Sequence, residues 1–309
     1  MSTMIPAGLA EQKSKASSKL SQRYSSMKCP LSLVVLIDNA AGKDSDLSGE
    51  AGLSFFIETG GKKILFDTGL SGLFLSHAEK LGISLRDLDS LVFSHGHNDH
   101  TGGLATLARH FCETAPEGRK MRVPELITHP RSFWLKEKEG KKNGSAVSEK
   151  EVRKIFPVNL SEKPVWITDD LVFLGEIPRR FAFERGDSGK RTIQHPDGKI
   201  EPDYLLDDTA LAFRSDTGLV IITGCSHAGI CNITEYARDV CGEAHVRDII
   251  GGLHLIRPEP KRLQKTGKYL NRLHLDSLHA CHCTTLPAKV ALADYCSLEE
   301  VCVGMNLVW

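Results

Sequence analysis

Several features that mark other classes of protein are missing from this 309-residue chain. No apolar run approaches the roughly 20 residues that a membrane-spanning helix needs, and the run over 31–37 is far shorter. Neither sign of charge dominates, because 39 Lys and Arg residues face 39 Asp and Glu residues. A chain without a basic excess lacks the electrostatic footprint of a nucleic-acid-binding protein. We therefore expect a small-molecule substrate, no nucleic acid and no membrane as partners, and the sequence predicts no oligomeric state.

The sequence also lacks a secretory signal and a disulfide framework. Residues 1–26 are rich in Ser, Lys and Gln and contain no apolar core of the kind that a signal peptide has. The nine cysteines are odd in number and scattered, which is typical of a reducing compartment. We predict a cytoplasmic protein in which residues 1–27 form a disordered N-terminal extension.

The rest of the chain alternates between strand-like and helix-like segments. Short apolar runs end at Gly, Asp or Asn, and longer segments with helical spacing follow several of them. Residues 136–154 differ, because Lys, Glu, Gly and Ser dominate there. The pattern predicts an α/β fold of stacked sheets with helices outside. We expect one domain over 28–309, with an exposed insertion near 136–154.

A histidine-rich loop follows the apolar run 91–93. The run from His95 to His100 reads HGHNDH and contains three histidines and Asp99. A loop can curl such residues around a small volume, and imidazole and carboxylate ligands together suit Zn²⁺, with Mn²⁺ or Fe²⁺ as alternatives. Sites of this type keep a position open for water, so the loop by itself predicts a hydrolytic metal centre.

This loop, with the Thr101-Gly102-Gly103 segment that follows it, resembles the signature of the metallo-β-lactamase superfamily. The element from Phe66 to Gly69 (FDTG) matches a second motif of that superfamily. The resemblance implies a four-layer αββα sandwich and two divalent metal ions, with Zn²⁺ preferred. It also implies that Asp67 orients a metal ligand and does not bind the metal itself.

The resemblance implies specific site residues, some of which lie far along the chain at strand ends. His95 and His97 would bind one ion, and Asp99 and His100 the other. Further ligands would come from His227, His254 and His282, each just past an apolar run. We predict the catalytic residues Asp99, Asp67 and His254, and the metal ligands His95, His97, Asp99, His100, His227 and His282.

The chain departs from the superfamily pattern where a bridging aspartate is usual. Cys225 follows the strand ending in Thr223-Gly224 at that place. Either the Cys225 thiolate or His227 takes the position, and Asp207 and Asp208 are further candidates. The sequence leaves open which of Cys225, His227, His254 and His282 completes the second metal sphere.

Several dispersed segments resemble a narrower subgroup, the 7,8-dihydropterin-6-yl-methyl-4-(β-D-ribofuranosyl)aminobenzene 5'-phosphate synthases. The matching pieces are spread over about residues 31–305 and include the segments at 224–229 and 251–255. This resemblance makes a phosphorylated substrate reasonable, with Arg179 or Arg180 placed to meet a phosphate. We predict a metal-dependent hydrolase that activates water for attack on a phosphorylated or ester-type small molecule. A pterin-condensing synthase that releases pyrophosphate is the alternative.

Two other classes of function remain open. In a non-catalytic metal-binding protein, His279, Cys281, His282 and Cys283 would form a structural zinc site, although their spacing lacks the Cys-X-X-Cys geometry typical of such sites. In a redox enzyme, iron would pass electrons to a flavin domain, and we expect no such domain after residue 305. The segment 186–192 is too short for a phosphate-binding P-loop, and we predict a surface turn there.

Overall fold

The computed structural model describes residues 29–43, 46–113, 122–185 and 189–309. The predicted N-terminal extension, residues 1–27, lies outside the described residues, and so does part of the predicted turn at 186–192. Among the described residues, none of the helices has both the length and the apolar composition that a bilayer-crossing segment needs.

The strands of the described chain form three sheets. In chain order they are β1 (Ser32–Ile37), β2 (Ser54–Thr59), β3 (Lys62–Phe66), β4 (Ser90–Val92), β5 (Glu125–Thr128), β6 (Leu135–Lys138), β7 (Lys141–Lys142), β8 (Val158–Leu160), β9 (Val165–Trp166), β10 (Leu171–Phe173), β11 (Arg191–Gln194), β12 (Ile200–Pro202), β13 (Ala210–Ser215), β14 (Gly218–Thr223), β15 (Val246–Gly252), β16 (Ser277–Cys281) and β17 (Asn306–Val308). The first sheet has the order β17-β1-β2-β3-β4-β5-β8, the second β16-β15-β14-β13-β10-β9, and the small third sheet β12-β11-β6-β7.

The longer helices cover the outer faces of the two large sheets. In chain order they are α1 (Leu73–Lys80), α2 (Asn98–Thr101), α3 (Leu104–Glu113), α4 (Glu149–Val152), α5 (Ile230–Cys241), α6 (Pro260–Leu273) and α7 (Leu286–Ala293). Two short 3₁₀ helices span Pro130–Phe133 and Ala182–Glu184. Helical spacing in the sequence predicts helices over 70–80, 104–111 and 233–240, which correspond to α1, α3 and α5. Helices α6 and α7 are not predicted by the sequence.

Three hydrophobic clusters show how the layers pack. One cluster joins the inner faces of the two large sheets, with Phe55 and Phe66 from the first and Phe173 and Phe213 from the second. A second cluster packs α1 and α3 on the outer face of the first sheet, and a third packs α5, α6 and α7 on the outer face of the second sheet. The layers therefore run helix, sheet, sheet, helix, which confirms the predicted αββα sandwich.

Helix α5 illustrates why these segments become helices. Its buried residues Ile230, Ile233, Ala237 and Cys241 follow helical spacing, so one face meets the second sheet. The helix ends at Gly242, whose φ of 63° lies in the left-handed region that glycine adopts without a steric cost. The sequence predicted the core of this helix, over 233–240.

The small sheet corrects one expectation. Residues 136–154 are not a wholly exposed insertion, because they contribute β6, β7 and α4. Lys136 is 2% exposed, and Val152 packs in the cluster that α1 and α3 share. The lysine is buried because its charge is paired inside the protein, which composition alone does not indicate.

Parallel strand pairing gathers the functional loops at one edge. Strands β3, β4, β5 and β8 are parallel neighbours in the first sheet, and β14, β15 and β16 are parallel neighbours in the second. The carboxyl ends of parallel neighbours meet at the same edge of a sheet, where open α/β sheets commonly place their ligands. The loops that follow β3, β4, β14, β15 and β16 carry the predicted catalytic residues and metal ligands.

Candidate metal centre

The histidine loop after β4 changes from extended backbone to one helical turn. His97 is extended, with φ −69° and ψ 151°, and acts as the N-cap of α2, so Asp99 and His100 lie on the turn that follows. Gly96 has no room for a side chain, since a Cβ there would lie 2.1 Å from the carbonyl oxygen of Ser132. The Gly96 amide donates a hydrogen bond of 2.8 Å to Asp207.

The first ligand group consists of His95, His97 and His227. One ring nitrogen of each lies within 4.8 Å of the others, and Nε2 of His95 is 3.0 Å from Nδ1 of His97. Burial favours the neutral rings, so the pKa of His97 falls to about 3 and those of His95 and His227 fall well below the ordinary value. Neutral imidazole is the form that binds metal.

The second ligand group consists of Asp99, His100, Cys225 and His282. Nε2 of His100 lies 3.3 Å from the Cys225 sulfur and 3.9 Å from a carboxylate oxygen of Asp99. Nε2 of His282 lies 3.6 Å from the other Asp99 oxygen. The Nδ1 atom of His282 is 3.0 Å from Oδ1 of Asn39, and this contact directs Nε2 into the group.

The residues present fit divalent metal ions. The Nε2 atoms of His97, His227 and His282 are buried and have no hydrogen-bond partner among the described residues. A buried polar atom without a partner is costly in a native protein, and it marks a place where an ion or water completes the structure. Imidazole, carboxylate and thiolate are all established ligand types for Zn²⁺.

Asp67 holds His100 in place. At the end of β3, it accepts hydrogen bonds from the Ser94 amide (2.8 Å) and the Ser94 hydroxyl (2.6 Å), and it lies 2.6 Å from Nδ1 of His100. Burial lowers the pKa of His100, but the Asp67 and Asp99 carboxylates outweigh it and raise this pKa to about 9. A metal ion would displace the Nε2 proton while Nδ1–H continues to donate to Asp67.

We expect Asp67→Asn to weaken metal binding by about 10- to 100-fold, the range seen when such outer partners are replaced. An amide still fits the left-handed backbone at φ 60° but no longer offers the negative charge that orients the ring. Competition with a chelating dye measures the affinity. Asp248→Asn is the matched control, since Asp248 is also buried and lies 2.9 Å from a histidine, His279, outside either ligand group.

His254 lies beside the ligand groups. Its ring centroid is 4.1 Å from that of His227, and its backbone amide donates to the Cys283 sulfur at 3.2 Å. The Nδ1 atom of His254 is buried without a partner among the described residues. With Cys225 and Cys283 it forms a third close group, so Cys225 belongs to two groups. The structure thus brings His227 to the first group and His282 to the second, with His254 between His227 and the thiols.

Cys283 also lies at the site. The sequence analysis named it only as part of the alternative structural zinc site with His279, Cys281 and His282. Burial, together with the hydrogen bond to Cys283, raises the pKa of the Cys225 thiol well above its ordinary value. Burial also favours the neutral Cys283 thiol, but its hydrogen bonds with Cys225 and His254 hold its pKa well below the ordinary value. That structural zinc site does not form among the described residues. His279 pairs with Asp248, and Cys281 is buried between the two large sheets.

Asp207 and Asp208 have structural partners and do not join the ligand groups. Asp207 accepts hydrogen bonds from Gly96 and from the Lys136 ammonium, and Asp208 accepts one from the Ala228 amide. Both carboxylates therefore support the loops that carry the histidines. Among the candidates for the second metal sphere, Cys225 and His282 are the ones that lie close to Asp99 and His100.

Arg179 and Arg180 do not reach the pocket, contrary to the predicted substrate role. The Arg179 guanidinium donates to the carbonyl oxygens of His227 (2.8 Å), Leu205 (2.7 Å) and Tyr204 (3.2 Å). Arg180 forms an exposed ion pair with Asp239 at 2.5 Å. Arg179 thus fixes the loop that carries His227, because one planar guanidinium can serve several carbonyls at once.

The ligand groups line a pocket of about 380 Å³. Its wall includes His97, Asp99, His227, His254 and His282. The small sheet supplies a second wall with Lys138, Asn143 and Arg191. The sequence prediction missed these three residues because strand pairing brings them to the pocket and no motif marks them.

An αββα sandwich with a histidine-rich centre at the edge of its two sheets defines a class of α/β proteins built to hold divalent metal ions. The family model described as "Metallo-beta-lactamase superfamily" matches residues 47–240. The chain belongs to this superfamily.

The chain is similar to three known proteins. A 7,8-dihydropterin-6-methyl-4-(beta-D-ribofuranosyl)-aminobenzene-5'-phosphate synthase from Methanocaldococcus jannaschii is 29% identical over 284 residues, covering 84% of this chain and 89% of that protein. A crystal structure described as Tm1679, a metal-dependent hydrolase of the beta-lactamase superfamily, has a TM-score of 0.75 and 26% identity and covers 90% and 98% of the two chains. A diphosphatase from the PhnP family, with a TM-score of 0.50 and 14% identity over 92% of this chain and 98% of that one, shares the fold.

Proposed function

We propose that the protein is a metal-dependent hydrolase that uses two adjacent metal ions to activate water for attack on an ester-type or phosphorylated small molecule. The observation that carries the proposal is that two complete ligand groups open into one pocket. His97 and His227 represent the first group there, and Asp99, Cys225 and His282 represent the second. The pocket volume of about 380 Å³ is in the range of small-molecule sites.

Bound divalent ions act as Lewis acids that make water nucleophilic at neutral pH and stabilise negative charge on oxygen. The mixed nitrogen, oxygen and sulfur ligands favour Zn²⁺, with Mn²⁺ or Fe²⁺ as alternatives. The protein supplies the geometry. Asp67 fixes His100, Asn39 fixes His282, and Arg179 fixes the loop of His227.

His254 is the residue best placed to move a proton. It lines the pocket, its ring lies against that of His227, and its buried Nδ1 has no partner among the described residues. A histidine in this position can donate a proton to a leaving oxygen or hold one taken from water. We assign it that role because it lies outside the first and second ligand groups and belongs only to the third, with Cys225 and Cys283.

The test is a turnover screen of the full chain loaded with Zn²⁺, Mn²⁺ or Fe²⁺. Phosphodiesters, phosphomonoesters, lactones, thioesters and β-lactams are the substrates. We expect His254→Gln to lower kcat about 10²- to 10⁴-fold, the usual contribution of a general acid or base, with about two metal ions still bound. A silent panel contradicts the hydrolase proposal, and loss of metal in His254→Gln contradicts the proton-transfer role.

A second function has support from one finding. The M. jannaschii synthase is similar to 84% of this chain. That similarity favours a condensation that joins a pterin to an aminobenzene phosphate and releases pyrophosphate. The same ligand groups suit that reaction, because pyrophosphate leaves with negative charge that divalent ions neutralise. Pyrophosphate release that requires both co-substrates, with no turnover in the hydrolase screen, would favour the synthase.

A further inference from the structure

Three cations lie in one row across the small sheet. Arg191 of β11 is directly opposite Lys138 of β6, and Lys138 is directly opposite Lys141 of β7. Residues that face each other across antiparallel strands project from the same face of the sheet, with Cβ atoms roughly 5 Å apart. The sheet therefore concentrates positive charge along a single line of side chains.

Such a row is unfavourable unless something negative faces it. Like charges directly opposite each other destabilise a sheet. No ion pair joins Lys138 or Lys141 to any of the described residues, whereas the neighbouring Lys136 is paired with two buried aspartates. Within the described parts of the chain, Lys138 therefore has no acidic partner, and a second cation lies opposite it.

This face of the small sheet lines the pocket that contains the ligand groups. Lys138 and Arg191 line the pocket with Asn143, and His97 and His227 form part of the opposite wall. The carboxamide oxygen of Asn143 is buried and has no partner among the described residues. This amide oxygen is a hydrogen-bond acceptor and suits a donor group of a bound ligand, whereas the two cations beside it suit an anionic group.

The sheet is also held at a fixed distance from the metal ligands. The Asn143 carbonyl accepts a 2.9 Å hydrogen bond from the Asn98 amide, inside the histidine loop, and Gly144 bridges to His97. Two cations on a rigid support can therefore position an anionic group relative to the metal centre, and an arginine fork matches the geometry of phosphate oxygens.

We propose that Lys138 and Arg191 form an anion subsite that binds a phosphate group of the substrate, with Asn143 beside it. This inference rests on the proposed function and narrows it. The substrate carries a dianionic phosphate on the small-sheet side of the pocket, away from the bond that breaks at the metal centre.

The test measures binding and needs no turnover. The probes are phenylphosphonate, a dianion that resists hydrolysis, and benzoate, a monoanion of similar size, titrated calorimetrically into the metal-loaded full chain. The variant is Lys138→Gln with Arg191→Gln. The matched control is Lys142→Gln with Lys199→Gln, which removes the same charge from exposed positions outside the pocket wall.

We expect the Kd for phenylphosphonate to rise at least tenfold in the subsite variant and less than twofold in the control. The Kd for benzoate should rise less than threefold. An unchanged Kd for phenylphosphonate would overturn the subsite, and an equal loss for benzoate would overturn its preference for phosphate. If the double variant fails to fold, Lys138→Gln alone serves, because Lys138 is exposed.

The outcomes separate the two proposals. Weaker phenylphosphonate binding in the subsite variant, combined with a silent hydrolase screen, leaves the subsite in place and removes the hydrolase. Active hydrolysis combined with unchanged phenylphosphonate binding in the subsite variant supports the hydrolase and rejects the subsite.

Discussion

Replacing both His97 and Asp99 with alanine is expected to reduce bound metal from about two ions per chain to none, and to lower turnover at least ~10³-fold. His97 belongs to the first ligand group and Asp99 to the second, so the double variant removes one ligand from each. Each of the two ligand groups then lacks one of its residues. Elemental analysis after dialysis against metal-free buffer measures the ion content, and the substrate screen measures turnover.

The control for this prediction is His245→Ala with Asp294→Ala, which removes the same residue types from exposed positions. It should keep both ions and full activity. One tightly bound ion that survives His97→Ala with Asp99→Ala would contradict the assignment, because the metal would then be held elsewhere. His129, Glu162 and Glu176 form the group to examine in that case.

Replacing Lys136 with methionine is expected to lower the free energy of unfolding by about 3–5 kcal/mol, the usual cost of removing one partner from a buried ion pair. The Lys136 ammonium lies 3.0 Å from Asp207 and 3.2 Å from Asp203, with 1% of its side chain exposed. Methionine replaces the apolar stem but leaves two carboxylates buried without a cation. Urea denaturation of the metal-loaded protein measures the change.

Lys142→Met is the control, because Lys142 is an exposed lysine of the same small sheet. Its substitution should change the free energy of unfolding by less than about 0.5 kcal/mol, as surface substitutions usually do. A loss below about 1 kcal/mol in Lys136→Met would show that water screens the pair like a surface salt bridge. Since Asp207 also holds the Gly96 amide, Lys136→Met should weaken metal binding as well.

The histidine loop shows how much of the site can be predicted from local sequence. Four ligands within six residues must lie close together in any fold, and the apolar run before them predicted the strand that supports them. Asp67 was predicted from its motif, and the structure places it 2.6 Å from His100 as that motif implies. Such features need little tertiary information.

The distant residues are different, since their partners depend on strand register. Cys225 reaches His100 across 125 residues of chain, and Asn39 reaches His282 across 243. The subgroup resemblance led us to expect Arg179 to meet a phosphate, but packing directs its guanidinium to three carbonyls. No spacing in the sequence distinguishes these outcomes.

The sequence by itself determined an α/β fold of stacked sheets and the histidine loop, because hydrophobic periodicity and candidate ligands adjacent in the chain are local properties. The four-layer αββα sandwich followed from the resemblance of its motifs to the superfamily. The tertiary structure decided which strand-end histidine joins which ligand group, why Lys136 is buried, and that Lys138 and Arg191 face the pocket. These contacts arise from the pairing of strands far apart in the chain, where a shift of one residue would turn each side chain to the opposite face.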